Sequence, residues 1–98
     1  MIRHVLLIRF KATATAKDLS ELEAAFMKIP SLIEGVTYVE WGENNSPENK
    51  NEGFTHCILM TFADHKARDF YLPHAQHIKL KEIFKPLLDD IIVLDYDV

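Results

Sequence analysis

Alternating apolar and polar positions predict four β-strands, because successive side chains of a strand point to opposite faces of a sheet. The predicted strands span residues 2–11, 36–41, 54–62 and 91–98. One face of the first strand holds His4, Leu6, Ile8 and Phe10. The other face also carries apolar residues, so both faces are expected to be at least partly covered.

Apolar residues at helical spacing predict three helices between these strands. The first follows a cap-like Thr15 and ends or kinks at Pro30. The second spans about 64–72, where Pro73 interrupts it, and the third runs from residue 74 or 75 to residue 84. The expected apolar stripe of the third helix consists of Leu80, Ile83 and Phe84.

The resulting order of elements is βαββαβ, the pattern of a ferredoxin-like α+β unit. We predict a four-stranded antiparallel sheet with helices on one face. A chain of 98 residues is enough for one domain and too short for two, so residues 1–98 are expected to form a single domain. The opposite sheet face would be exposed unless a second sheet covered it, so we expect a homodimer through this face. Its apolar residues include Val5, Leu7, Cys57 and Leu59.

Composition and charge narrow the range of partners. The net charge of −4 argues against a nucleic-acid-binding surface, and we interpret Lys79, Lys81 and Lys85 as a solvated helix face. No stretch approaches the roughly 20 apolar residues of a membrane span. The single cysteine allows no intramolecular disulfide. We therefore expect no nucleic-acid or membrane partner and a cytoplasmic location.

The densest group of candidate catalytic residues lies in segment 70–77, between the last two predicted helices. An imidazole with a pKa of about 6.5 suits proton transfer at neutral pH, so His77 can abstract a proton next to a carbonyl or from a phenol-like group. Tyr71 can donate a hydrogen bond to the oxygen on which charge develops. Such enolate chemistry needs no cofactor, and we predict none.

Two further histidines, His4 and His56, lie on the strand faces assigned to the helices. If the first and third strands are neighbours, their rings can lie close together and orient a substrate beside Tyr71 and His77. The alternative is a pair of hydrogen-bonded histidines at the rim of the core.

A metal site has little support in the sequence. His74 and His77 are three residues apart, but no cysteine or carboxylate completes a set of ligands at a recognisable spacing, so we predict no metal. His74 is interpreted as a helix cap or a solvent-exposed side chain, and His65 as exposed. Three carboxylates are interpreted as rim or interface charges rather than a catalytic pair: Glu40, Asp95 and Asp97.

Several segments, in this order and spacing, resemble the stress-responsive A/B barrel family, the dimeric α+β barrel proteins also called Dabb. The resemblance covers essentially the whole chain and implies a homodimer whose two sheets face each other to form a barrel. The segments are IRHVLLIRFK at 2–11, VEWGEN at 39–44, EGFTH at 52–56, YLPH at 71–74 with His77, and FKPLL at 84–88 leading to VLDY at 93–96.

Members of the olivetolic acid cyclase type suggest a reaction. In those polyketide cyclases a tyrosine and a histidine six residues later carry the acid–base chemistry, and Tyr71 and His77 match them. Histidines of the first and third strands match His4 and His56. The cyclases read His-Pro-Ala-His where this chain has the proline at position 73, so the path into the third helix can differ.

The predicted function is binding of a small carbonyl-bearing molecule between sheet and helices, with cofactor-independent, cyclase-like turnover by Tyr71 and His77. Two alternatives stay open. One is a non-catalytic, stress-associated homodimer. The other is a cofactor-free monooxygenase-like protein, as found among other dimeric α+β barrels.

Overall fold

A computed structural model describes the whole chain, Met1–Val98, and confirms the predicted order of elements. The four strands form one sheet in the order β2-β3-β1-β4, with every neighbouring pair antiparallel. This is the ferredoxin-like topology, and it places the first and third strands side by side. The elements are β1 (Ile2–Phe10), α1 (Ala16–Leu32), β2 (Val36–Glu43), β3 (His56–Phe62), α2 (His65–Tyr71), α3 (Ala75–Phe84), a 3₁₀ turn (Lys85–Leu87) and β4 (Leu88–Asp97).

Helix α1 begins at a capping box. The Thr15 hydroxyl accepts a hydrogen bond from the Asp18 backbone N–H at 3.1 Å, and the Asp18 carboxylate accepts one from the Thr15 N–H at 2.9 Å. The helix passes through Pro30 and ends two residues later. A proline this close to the end removes one backbone donor, while the next N–H bonds continue, as Ile33 to Ile29 at 2.9 Å shows.

The core lies between the helices and one face of the sheet. Helix α1 contributes Leu22, Phe26 and Ile29, and α3 contributes Leu80 and Phe84. The prediction that Ile83 belongs to the buried stripe is wrong, because this side chain is 46% exposed. Adjacent residues of a helix point about 100° apart, so the stripe that includes Phe84 turns Ile83 away from the sheet.

The opposite sheet face has no cover within one chain. Its exposed apolar side chains are concentrated on β4 and the middle of β1, which pair with each other. None of the helices is long and apolar enough to cross a membrane. The exposed members of this face include Leu7, Ile92, Leu94 and Tyr96.

Candidate functional site

The break between α2 and α3 determines where the candidate catalytic side chains lie. Helix α2 ends at Tyr71, and Pro73 prevents it from continuing. The Leu72 carbonyl, which a continuous helix would pair with a backbone N–H, instead accepts a hydrogen bond from Nδ1 of His77 at 2.8 Å. The N–H of Gln76 is capped by Nδ1 of His74 at 3.0 Å, which confirms the interpretation of His74 as a helix cap.

This turn brings Tyr71 and His77 into direct contact. Their rings stack with centroids 4.1 Å apart and an interplanar angle of 29°. Tyr71 is 1% exposed, and its hydroxyl donates to Sδ of Met60 at 3.6 Å. A thioether is a weak acceptor, so a ligand oxygen would be a better partner for this hydroxyl.

The surroundings of His77 fix its tautomer and lower its basicity. A backbone carbonyl only accepts hydrogen bonds, so Nδ1 carries the proton and Nε2 is the basic nitrogen. Burial lowers the pKa of His77 below its usual 6.5, and the nearby charges of Lys81 and His4 lower it further, against the opposing effect of the Leu72 hydrogen bond. The ring is therefore neutral and able to accept a proton at pH 7.

His4 is oriented by a carboxylate that sequence reasoning missed. Its Nδ1 lies 2.6 Å from Oδ1 of Asp95, and the other oxygen of Asp95 lies 3.5 Å from Nη1 of Arg68. The interpretation of Asp95 as a rim or interface charge is therefore incomplete. No local sequence pattern gives this contact, which follows from the observed register of β1 and β4, where His4 and Asp95 are direct partners on the face toward the helices.

These side chains border one cavity of about 280 Å³ between the sheet and α3. Its wall includes His4, Tyr71 and His77, and most of the remaining lining is apolar. His4 is close to the aromatic pair, with its ring centroid 6.2 Å from that of Tyr71. The volume lies just below the roughly 300 to 1,000 Å³ of ordinary ligand pockets, so the cavity suits a small molecule.

His56 lies elsewhere on the same sheet face. In the register it faces Ile8 across the ladder, whereas His4 faces Met60 four residues away. At about 3.3 Å per residue this separation is about 13 Å, so the expectation that the two histidine rings lie close together is wrong. The His56 ring packs between Phe10 and Trp41, at centroid distances of 5.1 and 5.4 Å.

His56 does not line the cavity, and its Nδ1 lies 2.8 Å from the Thr55 hydroxyl. Its role in substrate binding stays a prediction. His65 is exposed, as predicted, and its ring pairs with Asp97 at 2.7 Å. No three histidine, cysteine or acidic side chains converge in a cluster that could hold a metal ion.

Comparison with known proteins supplies a family. The model of the Stress responsive A/B Barrel Domain family matches residues 2–98. The stress-response A/B barrel domain-containing protein HS1 of Arabidopsis thaliana is 34% identical over 97% of this chain and 87% of the relative. Olivetolic acid cyclase of Cannabis sativa is 23% identical over 97% of this chain and 94% of the cyclase.

Solved structures agree with the topology. The crystal structure of At3g17210 from Arabidopsis thaliana superposes with a TM-score of 0.95 at 33% identity, covering 100% of this chain and 95% of that one. A protein of unknown function from Thermobifida fusca, described as dimeric and ferredoxin-like, gives a TM-score of 0.84 at 21% identity, over 99% of this chain and 90% of its own.

Proposed function

Since the chain belongs to the stress-responsive A/B barrel family, we propose that it binds a small carbonyl-bearing molecule and transforms it by cofactor-independent acid–base chemistry. The reaction takes place in the cavity between the sheet and α3. The observation that carries this proposal is the stacked pair of Tyr71 and His77 in the wall of that cavity. The name of one relative, olivetolic acid cyclase, supports a cyclase-like reaction.

The two side chains have complementary roles. Nε2 of His77 takes the proton from the carbon next to the carbonyl, and the electron pair of that C–H bond moves onto the carbonyl oxygen. The Tyr71 hydroxyl donates a hydrogen bond to this oxygen as negative charge develops. Burial raises the pKa of Tyr71, so the phenol keeps its proton at neutral pH and remains a donor.

His4 completes the polar part of the wall as a positioning residue. Its Nδ1 is held by Asp95, which directs Nε2 of the ring away from that carboxylate. A buried imidazole held in one orientation can fix a polar group of the ligand beside Tyr71. The apolar remainder of the cavity excludes water and strengthens the electrostatic contribution of each hydrogen bond.

The exposed sheet face supports a homodimer as the active assembly. A neighbour with this fold is described as dimeric, and the apolar side chains of β4 need cover. In this arrangement the interface is the sheet face that points away from the helices, called the outer sheet face below. The Tyr71–His77 cavity lies on the other side of the sheet, beneath the helices.

The proposal can be tested with the β-ketooctanoyl thioester of N-acetylcysteamine. Wild-type protein is expected to exchange the protons between the two carbonyls of this compound for deuterium faster than buffer does, followed by NMR in D₂O. Tyr71→Phe and His77→Ala should lose this activity, whereas His65→Ala, which removes an exposed imidazole, should keep it. Exchange that survives in His77→Ala would overturn the assignment of the base. A wild-type protein that neither binds the thioester nor speeds its proton exchange would favour a non-catalytic homodimer.

A further inference from the structure

The charged part of the cavity wall has a single sign. Among its lining residues, Lys81 and Lys85 carry full charges, and no acidic residue takes part. Neither lysine belongs to an ion pair in the chain. This contrasts with the net charge of −4 for the whole protein. A cavity that carries unpaired positive charge in an acidic protein favours an anionic ligand.

The two lysines follow the proposed base along one side of α3. Positions 77, 81 and 85 are each four residues apart, so they succeed one another at about 6 Å intervals along the helix axis. Lys81 is close enough to His77 for its charge to lower the pKa of the imidazole. The third lysine of the segment, Lys79, lies on another side and borders the groove between α1 and α3. Lys79 and Lys85 are exposed, as expected of a solvated helix face, whereas Lys81 is partly buried.

We propose that the ligand of this cavity is an organic carboxylate, with its apolar body inside and its charged group held by Lys81 and Lys85. This inference rests on the proposed function, because it concerns the same cavity, and it narrows the substrate to carbonyl compounds that also carry a carboxylate. The helix spacing places that carboxylate about 6 to 12 Å from the Tyr71–His77 pair. Pairing at the lysines then sets which carbon of the ligand reaches Nε2 of His77.

A structural role for the lysines predicts something different. Cations near the C-terminal end of a helix stabilise it through the helix dipole, and α3 ends at Phe84. Replacing Lys81 or Lys85 can therefore lower stability whether or not a ligand binds there. Selectivity between a charged and an uncharged ligand of the same shape separates the two roles, because a helix-dipole effect changes both affinities equally.

The experiment is isothermal titration calorimetry with octanoate and octanamide, which share an apolar body and differ in charge. Wild-type protein is expected to bind octanoate about tenfold more tightly than octanamide, as two partly exposed ion pairs would give. The double variant Lys81→Gln/Lys85→Gln should bind both compounds with similar affinity, close to that of octanamide for the wild type. Lys79→Gln, the matched control on the same helix, should keep the preference.

The outcomes distinguish this inference from the proposed function. Equal binding of both compounds by the wild type, or a preference that survives in the double variant, would overturn the carboxylate assignment and leave the cavity as a site for neutral carbonyl compounds. Binding of neither probe, together with no accelerated proton exchange in the β-ketoacyl thioester, would overturn both. Loss of octanoate binding at high salt with octanamide unaffected would support the ion pairs.

Discussion

The imidazole of His77 stacks on the phenol of Tyr71 with ring centroids 4.1 Å apart. The contact exists because Pro73 breaks the helix between them and leaves the Leu72 carbonyl to hold Nδ1 of His77. In the proposed mechanism, the base and the hydrogen-bond donor are thereby fixed relative to each other before a ligand arrives. Such pre-organisation removes the reorganisation that a flexible pair would undergo in the transition state.

The lowered pKa of His77 predicts how stability depends on pH. The unfolded chain binds a proton at this residue near pH 6.5, whereas the folded protein resists it. Stability is therefore expected to fall as the pH drops below about 6.5, until the folded pKa is passed. His77→Gln should flatten this part of the profile, measured as the urea midpoint across a pH series.

An NMR titration checks the same shift directly. The His77 ring is expected to titrate below 6.5 in the folded protein and to return to its ordinary value in concentrated urea. A folded-state midpoint at or above 6.5 would show that burial does not control this group. The turnover proposed here should also persist below pH 6.5, because the base stays neutral there.

Tyr71→Phe is expected to separate stability from activity. The substitution removes one hydrogen bond to a weak sulfur acceptor, so the free energy of unfolding should change by at most about 1 kcal/mol. Turnover should fall on the order of a hundredfold, as expected when a donor to a developing oxyanion is lost. His65→Ala, which removes an exposed imidazole outside the cavity, is the control and should leave turnover unchanged. Equal turnover by both variants would remove the Tyr71 hydroxyl from the mechanism.

Asp95→Ala is expected to destabilise the fold more than Asp97→Ala, the same change two residues further along the same face of β4. His4 is 7% exposed, so loss of Asp95 leaves its Nδ1 buried without a partner, at a cost of about 1–3 kcal/mol. Asp97→Ala removes an exposed pair with His65 and should change stability by about 0.5 kcal/mol or less. Chemical denaturation measures both, and equal losses would mean that Asp95 does not hold His4 in solution.

Ile92→Asp tests the proposed dimer. Ile92 on the outer sheet face and Ile83 on α3 are each 46% exposed, so they form a matched pair on opposite sides of the molecule. A charge in the sheet interface should dissociate the dimer, whereas Ile83→Asp should not. Sedimentation should give twice the 11.3 kDa chain mass for wild type and Ile83→Asp, and the chain mass for Ile92→Asp. A wild-type protein that sediments as a single chain would contradict the proposed assembly.

The fold could be predicted from the sequence because its signals are local. Thr15 with Asp18, the proline at position 73 and the period-two strands each specify an element without reference to the rest of the chain. Strand alternation also placed His4 and His56 on the correct sheet face.

The site depended on register, which local patterns leave open. A pattern of period two does not state which residue of one strand lies opposite which residue of the next. The distance between His4 and His56, and the pairing of His4 with Asp95, follow only from the observed ladders. The stacking of His77 on Tyr71 likewise depends on the path of the turn after Leu72, where the sequence identified a break but no direction.

The most direct measurement is a crystal structure with the β-ketooctanoyl amide of N-acetylethylenediamine. This compound has nitrogen in place of the sulfur of the thioester, so it cannot react as a thioester. The proposed chemistry predicts a carbonyl oxygen within about 3.2 Å of the Tyr71 hydroxyl and the carbon next to it within about 3.5 Å of Nε2 of His77. A ligand bound elsewhere, with the cavity empty or with Nε2 of His77 turned to solvent, would contradict it.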